Sequence, residues 1–397
     1  MDISAQRTQA RRGRWAVATM FFINGFVLGS WAPQIPVFAQ RLAISEFTLG
    51  LLILGFGLGA VVSMVLAGHL IARHGSRLTL RLFAAAVVFT LLIVALAPSV
   101  PLAAVALFLF GGSIGAMDVS MNSNAVSVER KLGKAVMSSS HGFWSLGGFA
   151  GGALGGIVIE SFDHLWHALL VTLLALVGVA AAYRYLVGDE AQPLVEEKRG
   201  FSWPREPMIY VIGIMALLCM NSEGAVLDWA ALYLSQELDA DISVAGFAFA
   251  AFSGAMAVMR FAGDGIRNRY GAVTTFRVSS IIAAIGMLVA GLAPWPWLAI
   301  AAFALCGLGI ANMVPILFSA AGNQPGVSSG AGMSVVTTMG YSGILVAPSL
   351  IGFVGGEVGF TPVYIAVAIL LGFVFLLSGL TRSADSNRET VQDPLPI

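Results

Sequence analysis

Charge is what this chain has least of: 11% of its 397 residues are Asp, Glu, Lys or Arg, 58% are hydrophobic, and the two signs balance at 21 each. So little charge excludes an ordinary soluble domain. The absence of a basic excess gives no footing for a nucleic-acid partner. Cysteine is nearly missing too. Cys219 and Cys306 both fall inside apolar runs, which excludes a disulfide framework and a CxxC metal motif, so neither a metal nor a cofactor is expected. A Walker motif for nucleotide is also lacking, and Ser138-Ser139-Ser140-His141 sits in no Gly-x-Ser-x-Gly elbow, which sets a hydrolase aside.

What the chain has is long apolar runs, at a mean hydropathy of +0.87. Each of twelve, from 15–37 to 359–380, is long enough to cross a hydrocarbon core about 30 Å thick as a helix. Glycine is abundant at 46 residues, as packed membrane helices require. Gly147, Gly148, Gly151, Gly152, Gly155 and Gly156 fall in a small-xxx-small register on the fifth run. The first run continues through Trp31 and Pro36 as a full span, so it is expected to stay uncleaved.

The charges have sides. With both termini placed in the cytoplasm, every Lys and Arg except Arg41 and Arg260 falls in or beside a cytoplasmic segment, while Glu46, Glu160, Asp163, Glu237, Asp239, Asp241 and Glu357 fall outside. That is the positive-inside pattern of a multi-pass inner-membrane protein. Within the segment Gly68 to Arg77, Gly-His-Leu-Ile-Ala-Arg-His-Gly-Ser-Arg, the stretch from Gly68 to Gly75 returns one residue longer as Gly263 to Gly271. The architecture is therefore duplicated. The expected fold is all-α, with twelve transmembrane helices in two pseudo-symmetric six-helix bundles, at 1–187 and 207–381. A cytoplasmic linker at 188–206 joins them, and a disordered tail follows at 382–397.

Polar residues inside such spans mark pathways, because an ionised carboxylate in hydrocarbon costs several kcal/mol. Asp118 lies on span four, with Asn122 four residues on and on the same face. Span seven holds Glu223 and Asp228, about 140° apart around a helix, so Glu223 is the cavity candidate and Asp228 belongs nearer the outer surface. Asn24, Val27, Trp31 and Gln34 share a face of span one; an amide and an indole there suit a hydroxylated solute. His141 on span five is a candidate proton carrier, and Trp144 shares its face. Asn312 on span ten and Tyr341 on span eleven are their counterparts in the second half. Aligning the repeats at Gly68 and Gly263 puts Asn312 opposite Met117, beside Asp118. Arg73, Arg77 and Arg269 stand in the repeated basic turns as gating candidates, with Arg260 and Asp264 expected to pair near the cytoplasmic end of span eight.

The Gly-x-x-x-x-Arg-x-Gly-x-Arg turn after span two, its partner after span eight and the central linker resemble the major facilitator superfamily along the whole chain. That family's turn usually carries an acid where this chain has Ala72. Phe21-Phe22-Ile23-Asn24-Gly25-Phe26 with Trp31-Ala32-Pro33-Gln34 is similar to the fucose-permease branch and its bacterial relatives, whose span-four acid corresponds to Asp118. The resemblance implies a monomeric secondary transporter working by alternating access.

The expected function is movement of a small polar solute driven by protons taken up at Asp118, Glu223 and His141, with sodium as the alternative ion. No Arg or Lys is expected at mid-membrane, which points to a neutral or cationic solute. A proton-linked exporter of lipophilic or cationic compounds is the second reading and a non-transporting receptor the third; an enzyme is not expected.

Overall fold

The computed structural model describes residues 3–132, 136–188, 204–327 and 329–385. Their regular structure is helical. The first half of the chain forms α1 (Ile3–Trp31), α2 (Gln34–Leu42), α3 (Glu46–His74), α4 (Ser76–Leu96), α5 (Val100–Leu132), α6 (Met137–Ser161) and α7 (His164–Tyr183). The second forms α8 (Pro207–Glu237), α9 (Ile242–Tyr270), α10 (Ala272–Gly291), α11 (Pro296–Ile310), α12 (Met313–Gly322), α13 (Ser329–Val358) and α14 (Phe360–Leu376), closed by a 3-10 helix over Ser378–Asp385. Ten helical stretches are long and apolar enough to cross a bilayer, and twelve if the two bent pairs count as single spans. One such pair is α1 with α2, bent by 44°. Ala32 and Pro33 interrupt the helix there, so the first span is broken where a straight one was expected.

Local chemistry sets the boundaries. Ser45 accepts from the Thr48 N–H at 3.3 Å to start α3, and Asp163 accepts from the Leu165 N–H at 2.7 Å to start α7. Proline opens α8 and α11, where its missing N–H costs no helical bond. The repeated basic turns end α3 and α9 in the same way: Gly75 and Gly271 adopt φ of 80° and 81°, values that only glycine takes up without strain.

After each half the chain folds back under its own basic turn. Asn124 donates to the Ser76 hydroxyl and the Val187 carbonyl, both at 2.9 Å, and Lys131 to the Gly188 carbonyl at 2.6 Å. In the second half Asp385 accepts from the Ala272 N–H at 2.7 Å, while Arg267 donates to the Ala384 carbonyl at 2.8 Å and to Ser319 at 2.9 Å. Residues 382–385 are therefore an ordered strap instead of the beginning of a disordered tail. Residues 386–397 and 189–203 of the expected linker lie outside the described residues.

Val62, Leu66, Leu78, Leu173 and Val177 are among the large apolar side chains left exposed on α3, α4 and α7, a surface that suits hydrocarbon. The halves meet along two seams, α6 against α9 and α3 against α13. The glycine stripe of α6 works on two faces. Gly147 and Gly151 pack on the α1 backbone at Phe22 and Phe26, while Gly148, Gly152 and Gly156 pack on Ser253, Ala250 and Ser243 of α9. The absence of Cβ atoms lets three helices touch along one line.

Candidate functional site

Both seams are tied at the end of the bundle that carries Glu46 and Glu160. Gln236 of α8 donates to Glu46 of α3 at 3.0 Å, the Ser243 N–H of α9 to Glu160 of α6 at 3.0 Å, and Ser349 of α13 to the Gly50 carbonyl of α3 at 3.1 Å. A surface hollow of about 450 Å³ lies above this closure, lined by Pro36, Gln40, Glu46, Leu232 and Gln236 among others. Neither Asp118 nor Glu223 lines it, so size alone does not mark the site.

The polar cluster lies at mid-depth. Glu223 is one residue past the midpoint of α8, Asp118 two past that of α5, and Arg260 four past that of α9. Glu223 lies just on the acidic-end side of the α8 midpoint and Asp118 just on the basic-turn side of the α5 midpoint, and Tyr341 of α13 is within electrostatic reach of both. Arg260 stands ten residues before the end of α9 at Tyr270.

Arg260 is the hub. Its Nη1 donates to the Ser145 hydroxyl of α6 at 2.6 Å, across the seam, and its Nη2 stands 3.9 Å from Glu223 Oε2. Its guanidinium lies 5.7 Å from the centroid of the Trp144 ring. Trp144 Nε1 donates to Asn24 Oδ1 at 2.9 Å, and Asn24 Nδ2 to the Ile114 carbonyl of α5 at 3.1 Å. The Asn24 amide is thereby satisfied and fixes the indole. A second branch runs along α6, where His141 Nε2 and Asn122 Oδ1 are 3.2 Å apart and Asn122 Nδ2 donates to the Asp118 carbonyl at 2.9 Å. The ring of Phe21 meets that of His141 edge-on at 5.1 Å. Three helices of the first half and three of the second, counting Tyr341, converge in this cluster.

Other expected residues lie elsewhere. Trp31 is 2% exposed and packs between Phe38 and Phe110, a core position. Gln34, beyond the bend, donates to the His164 carbonyl at 2.9 Å and contacts His167 Nδ1 at 2.8 Å, tying α2 to α7. Neither lines the mid-depth cluster. Asn312 occupies the break between α11 and α12, against Gly263, and its Nδ2 has no hydrogen-bond partner among the described residues. α8 runs unbroken through Gly224, so Asp228 points away from Glu223, buried near Tyr364. Arg73 and Arg269 are exposed, Arg269 over Tyr270 at 5.4 Å, and Arg77 packs beside Gly188. Arg260 faces Glu223 at 3.9 Å; the expected Arg260–Asp264 pair involves the side chain of Asp264, which lies outside the described residues.

Sequence reasoning missed Ser145 and Ser253, which bind the seam: Ser253 donates to the Ser145 carbonyl at 2.8 Å. Serines are too common in these helices to stand out. It also missed Arg267, whose partners lie far along the chain.

The profile of the Major Facilitator Superfamily matches the chain twice, over residues 17–222 and 211–395. The chain belongs to that superfamily. The double match repeats what Gly75 and Gly271 express in the backbone. An uncharacterised MFS-type transporter of Yersinia pestis is 34% identical over 352 residues, covering 88% of this chain and 91% of that protein. Among solved structures, the nucleoside transporter NupG superposes with a TM-score of 0.68 at 13% identity over 94% of this chain and 99% of its own. A D-xylose-proton symporter superposes with a TM-score of 0.72 at 14% identity over 93% and 98%. At such identities the likeness is one of fold. This superfamily member is a multi-pass membrane transporter, and its relatives are named as transporters, not enzymes.

Proposed function

We propose that this chain is a secondary active transporter of the inner membrane, with both termini cytoplasmic, moving a small polar solute by alternating access and drawing on the proton gradient. The observation that carries the reading is a cluster built by both halves, in which Arg260 of α9 donates to Ser145 of α6 at 2.6 Å and faces Glu223 of α8 at 3.9 Å. A site made jointly by both halves changes its access when they rock. The seams are tied at the acidic end, while the partly exposed face of α5 runs from Asp118 through Asn122 and Ser127 toward the basic turns. This supports a cytoplasm-facing state for the structure.

Asp118 takes up and releases the proton, with Asn122 bonded to its backbone carbonyl and His141 bonded in turn to Asn122. Asn24 and Trp144 shape the solute's seat, and Tyr341 closes it from the second half. The aromatic first span and the span-four acid support the fucose-permease branch as the relevant part of the superfamily. The test is reconstitution in proteoliposomes under an imposed pH gradient, reading proton entry as sugars, nucleosides and hydroxy acids are added. Solute-dependent proton entry supports the reading; accumulation driven equally well without a pH gradient overturns the coupling.

A further inference from the structure

Gln34, the first residue of α2, braces the outer corner of the first half. Its Nε2 donates one hydrogen to the His164 carbonyl at 2.9 Å and the other to His167 Nδ1 at 2.8 Å. A carbonyl can only accept, so the Gln34 nitrogen must face it, and Nδ1 of His167 is then an acceptor. The proton of the neutral ring therefore sits on Nε2, which faces α6 at Gly155 and has no hydrogen-bond partner among the described residues. His167 is 1% exposed. This corner also touches the second half twice. α2 packs against α8, and Glu160 at the end of α6 accepts from the Ser243 N–H of α9 at 3.0 Å.

A second proton on His167 breaks the brace. The Nδ1–H group would meet the Gln34 amide donor to donor. Turning the amide over lets its oxygen accept from Nδ1 but sets that oxygen against the His164 carbonyl, acceptor to acceptor. Either way one of the two bonds between α2 and α7 is lost. A buried imidazolium would also lack a counter-charge. Asp163, at the start of α7, is taken by the Leu165 N–H and by His164 Nδ1 at 2.6 Å, and it faces Arg41 of α2. Glu160 of α6 is taken by Ser243. α1 and α4 carry their basic residues at the opposite end and bring no titratable group here.

We propose that His167 positions the outer gate according to the pH outside: the closed corner accepts only the neutral ring, and acid on the outer side holds the gate open by protonating a ring that water has reached. This switch rests on the orientation and the alternating access proposed above. A state that binds the proton gains population as pH falls. The outward-open form is thus favoured where the outer side is acid, the condition under which a proton gradient is available.

The test places nitroxide labels at Leu102→Cys and Trp297→Cys, exposed positions at the outer ends of α5 and α11, one in each half. Cys219 and Cys306 are buried and stay unlabelled. In full-length protein in nanodiscs, double electron–electron resonance reads the separation. Between about pH 8 and about pH 5.5 the ratio of long to short separations should rise about tenfold, as one hydrated imidazole titrating at roughly 6.5 requires. His167→Asn offers an amide oxygen in place of Nδ1 and takes up no proton, so the gate should stay closed across that range. Asp118→Asn combined with Glu223→Gln should leave the response in place, which keeps the switch testable where His167→Asn does not fold. A separation indifferent to pH, a response intact in His167→Asn, or a response lost with the two mid-depth carboxylates each overturns the proposal. Solute-dependent proton entry with a separation indifferent to pH would retain the transport reading and remove the switch. Opening through His167 in a protein that moves no solute would remove the transport reading and retain the switch.

Discussion

Arg260 on α9 donates to the hydroxyl of Ser145 on α6 at 2.6 Å, while the Ser145 carbonyl accepts from Ser253 of α9 at 2.8 Å. One residue of the first bundle is therefore held through both backbone and side chain by the second. The seam and the charge cluster share atoms, so a change in the partners of Arg260 is felt directly by the contact between the two bundles.

Asp118→Asn removes the titratable group of α5 while keeping its shape. Proton-driven accumulation in proteoliposomes is expected to disappear, and exchange of solute for solute across the same vesicles is expected to survive. Accumulation at the wild-type level would take Asp118 out of the coupling step.

Asn24 and Gln34 are both buried amides, and they should behave differently. Gln34→Ala strands His167 and the His164 carbonyl at a cost of about 1–3 kcal/mol, so melting should fall with solute affinity unchanged. Asn24→Ala releases the Trp144 indole and should weaken solute binding in fluorescence titration. Equal effects on affinity would contradict the separation of core and site.

The α6–α9 seam leaves little room at Gly152, where a Cβ would stand 3.1 Å from the Ala250 nitrogen. Gly152→Leu should cost about 1–3 kcal/mol of overpacking in the state closed at the acidic end. Cysteines introduced near Glu160 and Ser243 should then label faster with a membrane-impermeant reagent. Unchanged labelling would mean the seam yields elsewhere.

Asp385 caps the start of α10 from the far end of the chain. Asp385→Ala should destabilise the protein by about 0.5–2 kcal/mol, as the loss of a helix cap does, read as a lower melting temperature. A chain ending at residue 377 should lose at least as much.

Much of the fold is legible in the residues taken in order. Hydropathy, charge sidedness and the Gly75 and Gly271 turns are properties of neighbouring residues, and they suffice for twelve spans, two bundles and the superfamily. Asp118, Asn122, His141 and Trp144 could be found in the same way, because polar groups within apolar runs are conspicuous. Trp31 and Gln34 were grouped with Asn24 because a continuous helix was assumed through Ala32 and Pro33.

Composition and local pattern could say that this chain lives in a membrane, folds twice over and carries buried carboxylates, since each of these follows from groups adjacent along the chain and their transfer from water. They could not say that Glu223 of α8 meets Arg260 of α9, that Arg260 crosses to Ser145, or that Asp118 and Glu223 approach one tyrosine. Those facts depend on which helix faces meet after packing and how far each helix runs past its apolar stretch. Three-dimensional packing gathered residues distant in sequence into one cluster around Arg260.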